Sequence, residues 1–278
     1  MLSKSDAILA GSFLARAIYG GGAIPQQWRN NEWYRNDEFP SLEDPFRYDD
    51  DYRAYLASQG TPWTVLTAGS DGLDPAFFSY AGNTLGSFTS GGLYLGNGST
   101  PLTWNESNKA EALVAETWIN GEKTLVLSFR GSDGGDAFWQ AQTFNDKGAA
   151  AYYRALQPVI KAVLAYAADG ANQISNVVVA GHSLGGTMAD VFSLVGTSDP
   201  AIIGAQDFIN AGLNLEVVSL ASAGVPPRLS TELGLSHIYT VNGKIVGLNP
   251  QSFYTSVNHT GDRVYYAGQS GEEDGSGL

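Results

Sequence analysis

Asn176-Val177-Val178-Val179-Ala180-Gly181-His182-Ser183-Leu184-Gly185-Gly186 is the stretch on which the reading of this chain turns. An apolar run rich in β-branched residues predicts a buried strand over Asn176–Ala180, and the segment from Thr187 to Val195 that follows the doubled glycine has helical character. Between them Ser183 stands in a Gly-x-Ser-x-Gly frame. A strand that turns sharply into a helix can expose a serine hydroxyl only where small residues flank it, because the backbone is strained and closely packed there. Gly181 and Gly185 meet that need. The following helix directs its N-terminal amides and the positive end of its dipole toward the serine, where an oxyanion forms if the hydroxyl attacks a carbonyl. The pattern therefore points to acyl transfer. Its bland alternative is an ordinary glycine-rich turn, and the strand before it, the helix after it and the doubled glycine weigh against that alternative.

Outward from this stretch, the segments arrange as alternating strands and helices. Leu113-Val114-Ala115 and Thr124-Leu125-Val126-Leu127 flank Asn120-Gly121, a dipeptide that tolerates positive φ at both central turn positions, and predict a hairpin within Glu111–Phe129. Tyr152, Leu156, Val159, Val163 and Ala167 share one helical face, with an interruption or kink expected at Pro158. Beyond the elbow, strands are expected over Leu215–Ala221, Ile238–Val241 and Arg263–Tyr266, with a break at Gly224-Val225-Pro226-Pro227. This order implies an α/β-hydrolase fold, a mainly parallel central sheet with helices on both faces and its active-site loops at the C-terminal ends of the strands.

Composition sets limits. A chain of 278 residues with 43% hydrophobic content can bury one large core, so residues 1–267 are expected to form a single domain. Gly268 to Gly277 holds Glu272-Glu273-Asp274 amid glycine and serine and has no core-forming residues, so 268–278 is expected to be a flexible tail or linker. A net charge of −13 excludes nucleic acid and charge-driven adsorption to an anionic membrane as partners. Without cysteine there is neither a disulfide framework nor a thiolate metal site, and the compartment is left open by that count. Ala7, Ala10, Leu14, Ala17 and Ile18 recur at helical spacing after Ser5 as candidate N-cap, and Gly20-Gly21-Gly22 ends the pattern. Asp6 and Arg16 within it oppose a signal peptide. No apolar stretch reaches the roughly 18 residues of a membrane span, so a soluble protein is expected; the location expected for it is extracellular.

Residues 25–63 are rich in aromatics, among them Trp28, Trp33 and Trp63, and in acids, including Asp49-Asp50-Asp51. That acidic run lacks the spaced oxygen ligands and central glycine of a calcium loop and reads as a solvated charge run, with no metal expected. The aromatics read as anchors that hold an irregular cover to the core.

A second motif, Leu125-Val126-Leu127-Ser128-Phe129-Arg130-Gly131-Ser132, is a strand ending in a tight turn with a small hydroxylic residue. With Gly-His-Ser-Leu-Gly-Gly, this Phe-Arg-Gly-Ser turn resembles the class 3 lipases, the family of the fungal triacylglycerol lipases, over roughly residues 93 to 266. The resemblance implies an oxyanion hole formed by the amide of Leu184 and by Ser132 through both amide and hydroxyl. It also implies a lid within residues 133–145, where Phe138 and Trp139 stand. The implied activity is hydrolysis of carboxylic esters, lipid esters above all, with no cofactor and with transient contact between the lid and a lipid interface.

The general base is sought among three histidines. His182 lies inside the elbow, where its side chain should turn away from the serine, and His237 precedes an expected strand away from the site. His259, in Val257-Asn258-His259-Thr260-Gly261, lies in a late loop, where the family's catalytic histidine also lies. For the third member of the triad the family has an aspartate in a run such as Asp-Ile-Val-Pro after the next-to-last strand. The matching stretch is Thr240-Val241-Asn242-Gly243-Lys244-Ile245-Val246-Gly247, which sets Lys244 in that place. A lysine offers only donors and lowers a neighbouring histidine's basicity, so it cannot fix the imidazole as an aspartate does. Asn242, through its amide oxygen, is a substitute, and a carboxylate from elsewhere is another. The departure keeps a weakened enzyme or a non-catalytic ester-binding homologue open beside the hydrolase. A serine peptidase on the same fold is a third alternative.

Overall fold

The computed structural model describes residues 2–20, 63–70, 72–97, 110–131, 146–195, 201–222, 224–225, 233, 238–241, 244–248 and 253–257. In chain order these carry helix α1 (Lys4–Gly20), strands β1 (Thr64–Val65), β2 (Ser79–Tyr80), β3 (Asn83–Thr84), β4 (Gly86–Phe88), β5 (Tyr94–Gly96), β6 (Ala110–Ile119) and β7 (Glu122–Phe129), then helix α2 (Asp146–Ala168). There follow β8 (Asn176–His182), α3 (Leu184–Leu194), α4 (Ala205–Asn210), β9 (Leu215–Leu220), β10 (Ile238–Val241), β11 (Lys244–Leu248) and β12 (Tyr254–Val257).

The main sheet runs in the order β12-β9-β8-β7-β6-β5-β4, with β1 beside β6. Its half from β7 to β12 is parallel and its half from β4 to β7 is antiparallel. The change of sense lies at the β6–β7 hairpin. There Ile119 faces Glu122 across Asn120 and Gly121, whose φ values of 51° and 80° are those the Asn-Gly dipeptide tolerates.

Alternation along β8 shows why this strand is central. Val177 and Val179 enter the core on the face covered by α2 and α3, whereas Val178 and Ala180 enter the core on the face covered by α1. A strand buried on both faces needs a continuous apolar run, which the sequence supplies. The expected mixed α/β architecture, with a parallel centre and helices on both faces, is the one observed.

On the first face, Tyr152, Leu156, Val159, Val163 and Ala167 of α2 are buried as their spacing predicts. The helix continues through Pro158 rather than ending there. Proline removes an amide donor and crowds the preceding turn. In that turn the Ala155 carbonyl accepts a hydrogen bond from the Tyr94 hydroxyl at 3.0 Å, so the sheet supplies a donor beside the proline. On the opposite face α1 buries Ala7, Ala10, Leu14, Ala17 and Ile18, and Gly11 lets it close on Ala180 and Val218, 3.0 and 3.3 Å from where a Cβ would stand. Its cap is Ser3, not Ser5, because the Ser3 hydroxyl accepts from the Asp6 amide at 3.2 Å. Trp63, at the end of the aromatic segment, is buried and stacks on Phe13 with ring centroids 5.1 Å apart, the anchoring role expected of it. The other aromatics and acids of 25–62, the lid segment 133–145, the strand expected at Arg263–Tyr266 and the tail 268–278 lie outside the described residues. Among the described residues, no helix is long and apolar enough to cross a membrane.

Candidate active site

The sheet registers place four chain ends side by side. Phe129 of β7 aligns with Gly181 of β8, His182 of β8 with Leu220 of β9, and Leu220 with Val257 of β12. Arg130-Gly131, Ser183, Ala221-Ser222 and the end of β12 at Val257 share one edge. Val257 lies two strand spacings from His182, about 10 Å.

Ser183 occupies the link between β8 and α3 with φ 58° and ψ −122°. That backbone lies outside the regions ordinary L-residues occupy, and the sharp strand-to-helix turn is the kind of geometry that a nucleophile elbow requires. Holding it costs on the order of 1–3 kcal/mol, so its surroundings must over-determine it. They do so on both sides. The Ser183 amide donates to the Leu220 carbonyl at 3.0 Å, which extends the β8–β9 ladder, and the Ser183 carbonyl accepts from the Thr187 amide at 3.0 Å, which closes the first turn of α3. The Ser183 side chain makes no capping bond to its helix.

Three glycines make the approach possible. A Cβ on Gly181 would stand 2.0 Å from the Gly185 carbonyl oxygen, one on Gly185 would stand 2.1 Å from the Phe129 carbonyl oxygen, and one on Gly186 would stand 2.7 Å from the Leu220 carbonyl oxygen. All three obstacles are backbone. Strand β8, the start of α3 and the ends of β7 and β9 therefore meet at a separation that side chains would forbid. Leu184, the first residue of α3, is buried, and its amide lies at the helix N-terminus, the end whose dipole favours negative charge.

The turn after β7 is fixed from the opposite side. The Arg130 amide donates to the Glu111 carbonyl at 3.0 Å, and the Arg130 carbonyl accepts from the Tyr152 hydroxyl at 2.9 Å. The Arg130 guanidinium is buried and pairs with the Glu111 carboxylate. Strand β6 and helix α2 thus hold the backbone that leads into Gly131 and Ser132 while Gly185 packs against it.

Of the residues singled out in the sequence, Ser183 and Leu184 lie in this arrangement. His182 is half-buried at the end of β8 beside Leu220. Ser132, His237, Asn242 and His259 lie outside the described residues. The backbone of Lys244 opens β11, opposite Val241 of β10. These two strands form an antiparallel ribbon, and among the described strands β10 pairs with β11 alone. The strand beside β9 in the main sheet is β12, a polar four-residue segment that the sequence did not reveal.

Sequence reasoning also missed a buried cluster beneath the elbow. Asp190 of α3 accepts hydrogen bonds from the Tyr254 hydroxyl of β12 at 2.6 Å and from the Ser222 hydroxyl after β9. Burial pushes the Asp190 carboxyl above the usual carboxylate range, and the bonds from Ser222 and Tyr254 oppose that shift. The available signal was slight: Asp190 is the one charged residue in Leu184–Leu194. Its partners lie 32 and 64 positions away.

No protein-family model matches the chain, and no curated protein sequence matches it. Among solved structures, the crystal structure of M37 lipase is similar at a TM-score of 0.40 and 12% identity, with 92% of this chain and 67% of that chain covered.

Proposed function

We propose that the chain is a carboxylic ester hydrolase of the α/β-hydrolase fold that works through an acyl-serine intermediate. The observation that carries the reading is the backbone of Ser183, held at positive φ between β8 and α3 by three glycines packed against backbone. Strain of this kind persists where function uses it, and at a strand-to-helix turn its use is to present a nucleophile.

In this reading the Ser183 Oγ attacks the ester carbonyl carbon as its proton passes to His259. The amide of Leu184 and the amide and hydroxyl of Ser132 hold the oxyanion, which collapses and expels the alcohol with the proton from His259. A water that gives its proton to His259 then attacks the acyl-enzyme, and collapse breaks the acyl–Oγ bond, freeing the acid as His259 returns the proton to the Ser183 Oγ. The scheme requires no cofactor. Lipid esters are the favoured substrates, residues 133–145 are the proposed lid, and the proposed location is extracellular.

For the third member, the strand order supports a candidate beyond the one the sequence offered. The acid of such a site leaves a strand of the main sheet, and β10, which leads to Asn242 and Lys244, pairs with β11 in a separate ribbon. Strand β12 adjoins β9, and five residues past its end stands Asp262, which joins Asn242 as a candidate to orient the histidine. Lys244 therefore counts less against turnover than its place in the sequence implies.

The test is hydrolysis of p-nitrophenyl butyrate and palmitate together with labelling by a fluorophosphonate. The parent is expected to turn over and to label at Ser183, and Ser183→Ala to do neither. His259→Ala should be inactive, and Asp262→Asn should lose on the order of 10⁴-fold in kcat if it is the acid. A parent that binds ester but neither hydrolyses it nor labels would identify a non-catalytic ester-binding protein and refute the proposal.

A further inference from the structure

The buried Asp190 cluster has a hydrogen-bond pattern that joins the elbow to two other strands. The Ser222 hydroxyl donates its single proton to Asp190, so at 3.3 Å from the Thr187 hydroxyl it must be the acceptor, and it also accepts from the Gly224 amide at 2.9 Å. Its hydrogen-bonding capacity is therefore filled. Thr187 is the residue whose amide closes the turn on Ser183. Ser219 of β9 donates to the Gly186 carbonyl at 3.3 Å, and the amide of Ala221, itself at φ 46°, donates to the Val257 carbonyl at 2.9 Å. Tyr254 opens β12, and its hydroxyl meets the second oxygen of Asp190. One carboxylate thus fixes the elbow helix, the end of β9 and strand β12 relative to one another.

A chain held only by packing would not need this device. Removing a carboxylate from water is costly, and an apolar side chain of similar volume would bury without that cost. What the cluster adds is direction: two donors, one just past β9 and one on β12, meet one acid on the helix that Ser183 precedes. We infer that Asp190, with Tyr254 and Ser222, forms a positioning network that sets the strand delivering the late loop in register with the nucleophile helix. The inference rests on the hydrolase reading, because register between α3 and β12 matters to a reaction only if that loop supplies a partner to Ser183.

The experiment uses the full chain with p-nitrophenyl butyrate, active sites being titrated by fluorophosphonate so that kcat is expressed per reactive serine. Tyr254→Phe removes one donor and leaves the ring in place, and Asp190→Asn keeps the volume of the acid. Each is expected to lower kcat per titrated site at least tenfold with KM within twofold of the parent. The double variant should be little worse than Asp190→Asn alone, because both changes break one network. Tyr254→Phe is expected to stay folded, so a failure of Asp190→Asn to fold leaves a working test. Unchanged kcat in Tyr254→Phe overturns the inference, as does a fall in rate that only tracks the loss of folded protein measured by thermal unfolding. A parent inert to both ester and probe refutes the hydrolase reading itself and the network's catalytic role with it. That result is distinct from an active parent with insensitive variants.

Discussion

Gly185→Ala tests the elbow where its geometry is tightest. The added Cβ would stand 2.1 Å from the Phe129 carbonyl oxygen, 2.8 Å from its carbonyl carbon and 3.0 Å from the Arg130 carbonyl carbon. Carbon and oxygen in ordinary contact need about 1.4 Å more than the first of these distances, since dispersion contacts are optimal near 3.5 Å. Either α3 or the turn after β7 must therefore retreat by about that amount. The turn is held by the Glu111 carbonyl and the Tyr152 hydroxyl, and α3 is buried along its whole length, so neither yields freely. Overpacking of this kind costs about 1–3 kcal/mol. At roughly 2–4 °C per kcal/mol for a chain of this size, Tm should fall by about 2–12 °C. Displacement of the Leu184 amide from the turn that leads to Ser132 should reduce kcat on p-nitrophenyl butyrate by about 10²-fold, as misplacement by 1 Å or loss of an oxyanion donor does. The assay is kcat per fluorophosphonate-titrated site at a temperature where the variant is folded. A folded variant whose kcat stays within threefold of the parent would refute the argument that this contact sets the reacting geometry.

Tyr94→Phe should remove the buried hydrogen bond to the Ala155 carbonyl and destabilise the protein by about 0.5–1.5 kcal/mol, with kcat per titrated site unchanged; chemical denaturation checks this, and a stability equal to the parent's would refute it. Burial raises the Glu216 carboxyl above the usual range against an opposing pull from Lys4, and its Oε2 is buried with no hydrogen-bond partner. In the window between the unfolded and the raised folded value the folded state keeps a proton that the unfolded state releases. This group's contribution is therefore full below the unfolded value and lost as pH rises through the folded one. Urea unfolding from about pH 4 to about pH 7 should show parent stability falling relative to Glu216→Gln, and parallel curves would refute the assignment.

What the sequence made legible was local. Asn120-Gly121 announces the β6–β7 hairpin because the turn's positive φ values are a property of those two residues, and Gly181 and Gly185 announce the elbow because only residues without a Cβ allow the backbone to close in on either side of Ser183. Periodicity identified the buried faces of α1 and α2 because a helix keeps its register without help from the rest of the chain. The N-cap of α1 moved from Ser5 to Ser3 because either serine satisfies the pattern and only geometry shows which hydroxyl reaches Asp6. Strand β12 was hidden for a different reason. Tyr254–Val257 is short and largely polar, and it is a strand by virtue of its pairing with β9, which no local pattern encodes. Ile238–Val241 has the stronger β composition yet pairs in the ribbon with β11. Composition ranks segments by their propensity to be strands, not by the neighbours they find, and the choice of candidate for the third triad member depends on the neighbour.

Helix α3 joins these two kinds of information. At its first turn Gly185 meets the end of β7 through backbone, and two turns later the ring of Phe192 lies 6.4 Å from that of Phe129, the last residue of the same strand. On its other side Thr187 and Asp190 engage Ser222 and Tyr254. The strand that leads to the candidate oxyanion turn and the strand that leads to the candidate base are thus both referenced to the helix whose N-terminus presents Ser183. The strain at Ser183, on the order of 1–3 kcal/mol, is small beside the burial of that helix, where each fully buried large apolar side chain such as Met188, Val191 or Phe192 contributes about 1.5–3 kcal/mol. Substitutions that loosen α3 from either side should therefore release the elbow backbone before they unfold the domain, so that reactivity toward the fluorophosphonate declines at lower denaturant than the sheet does.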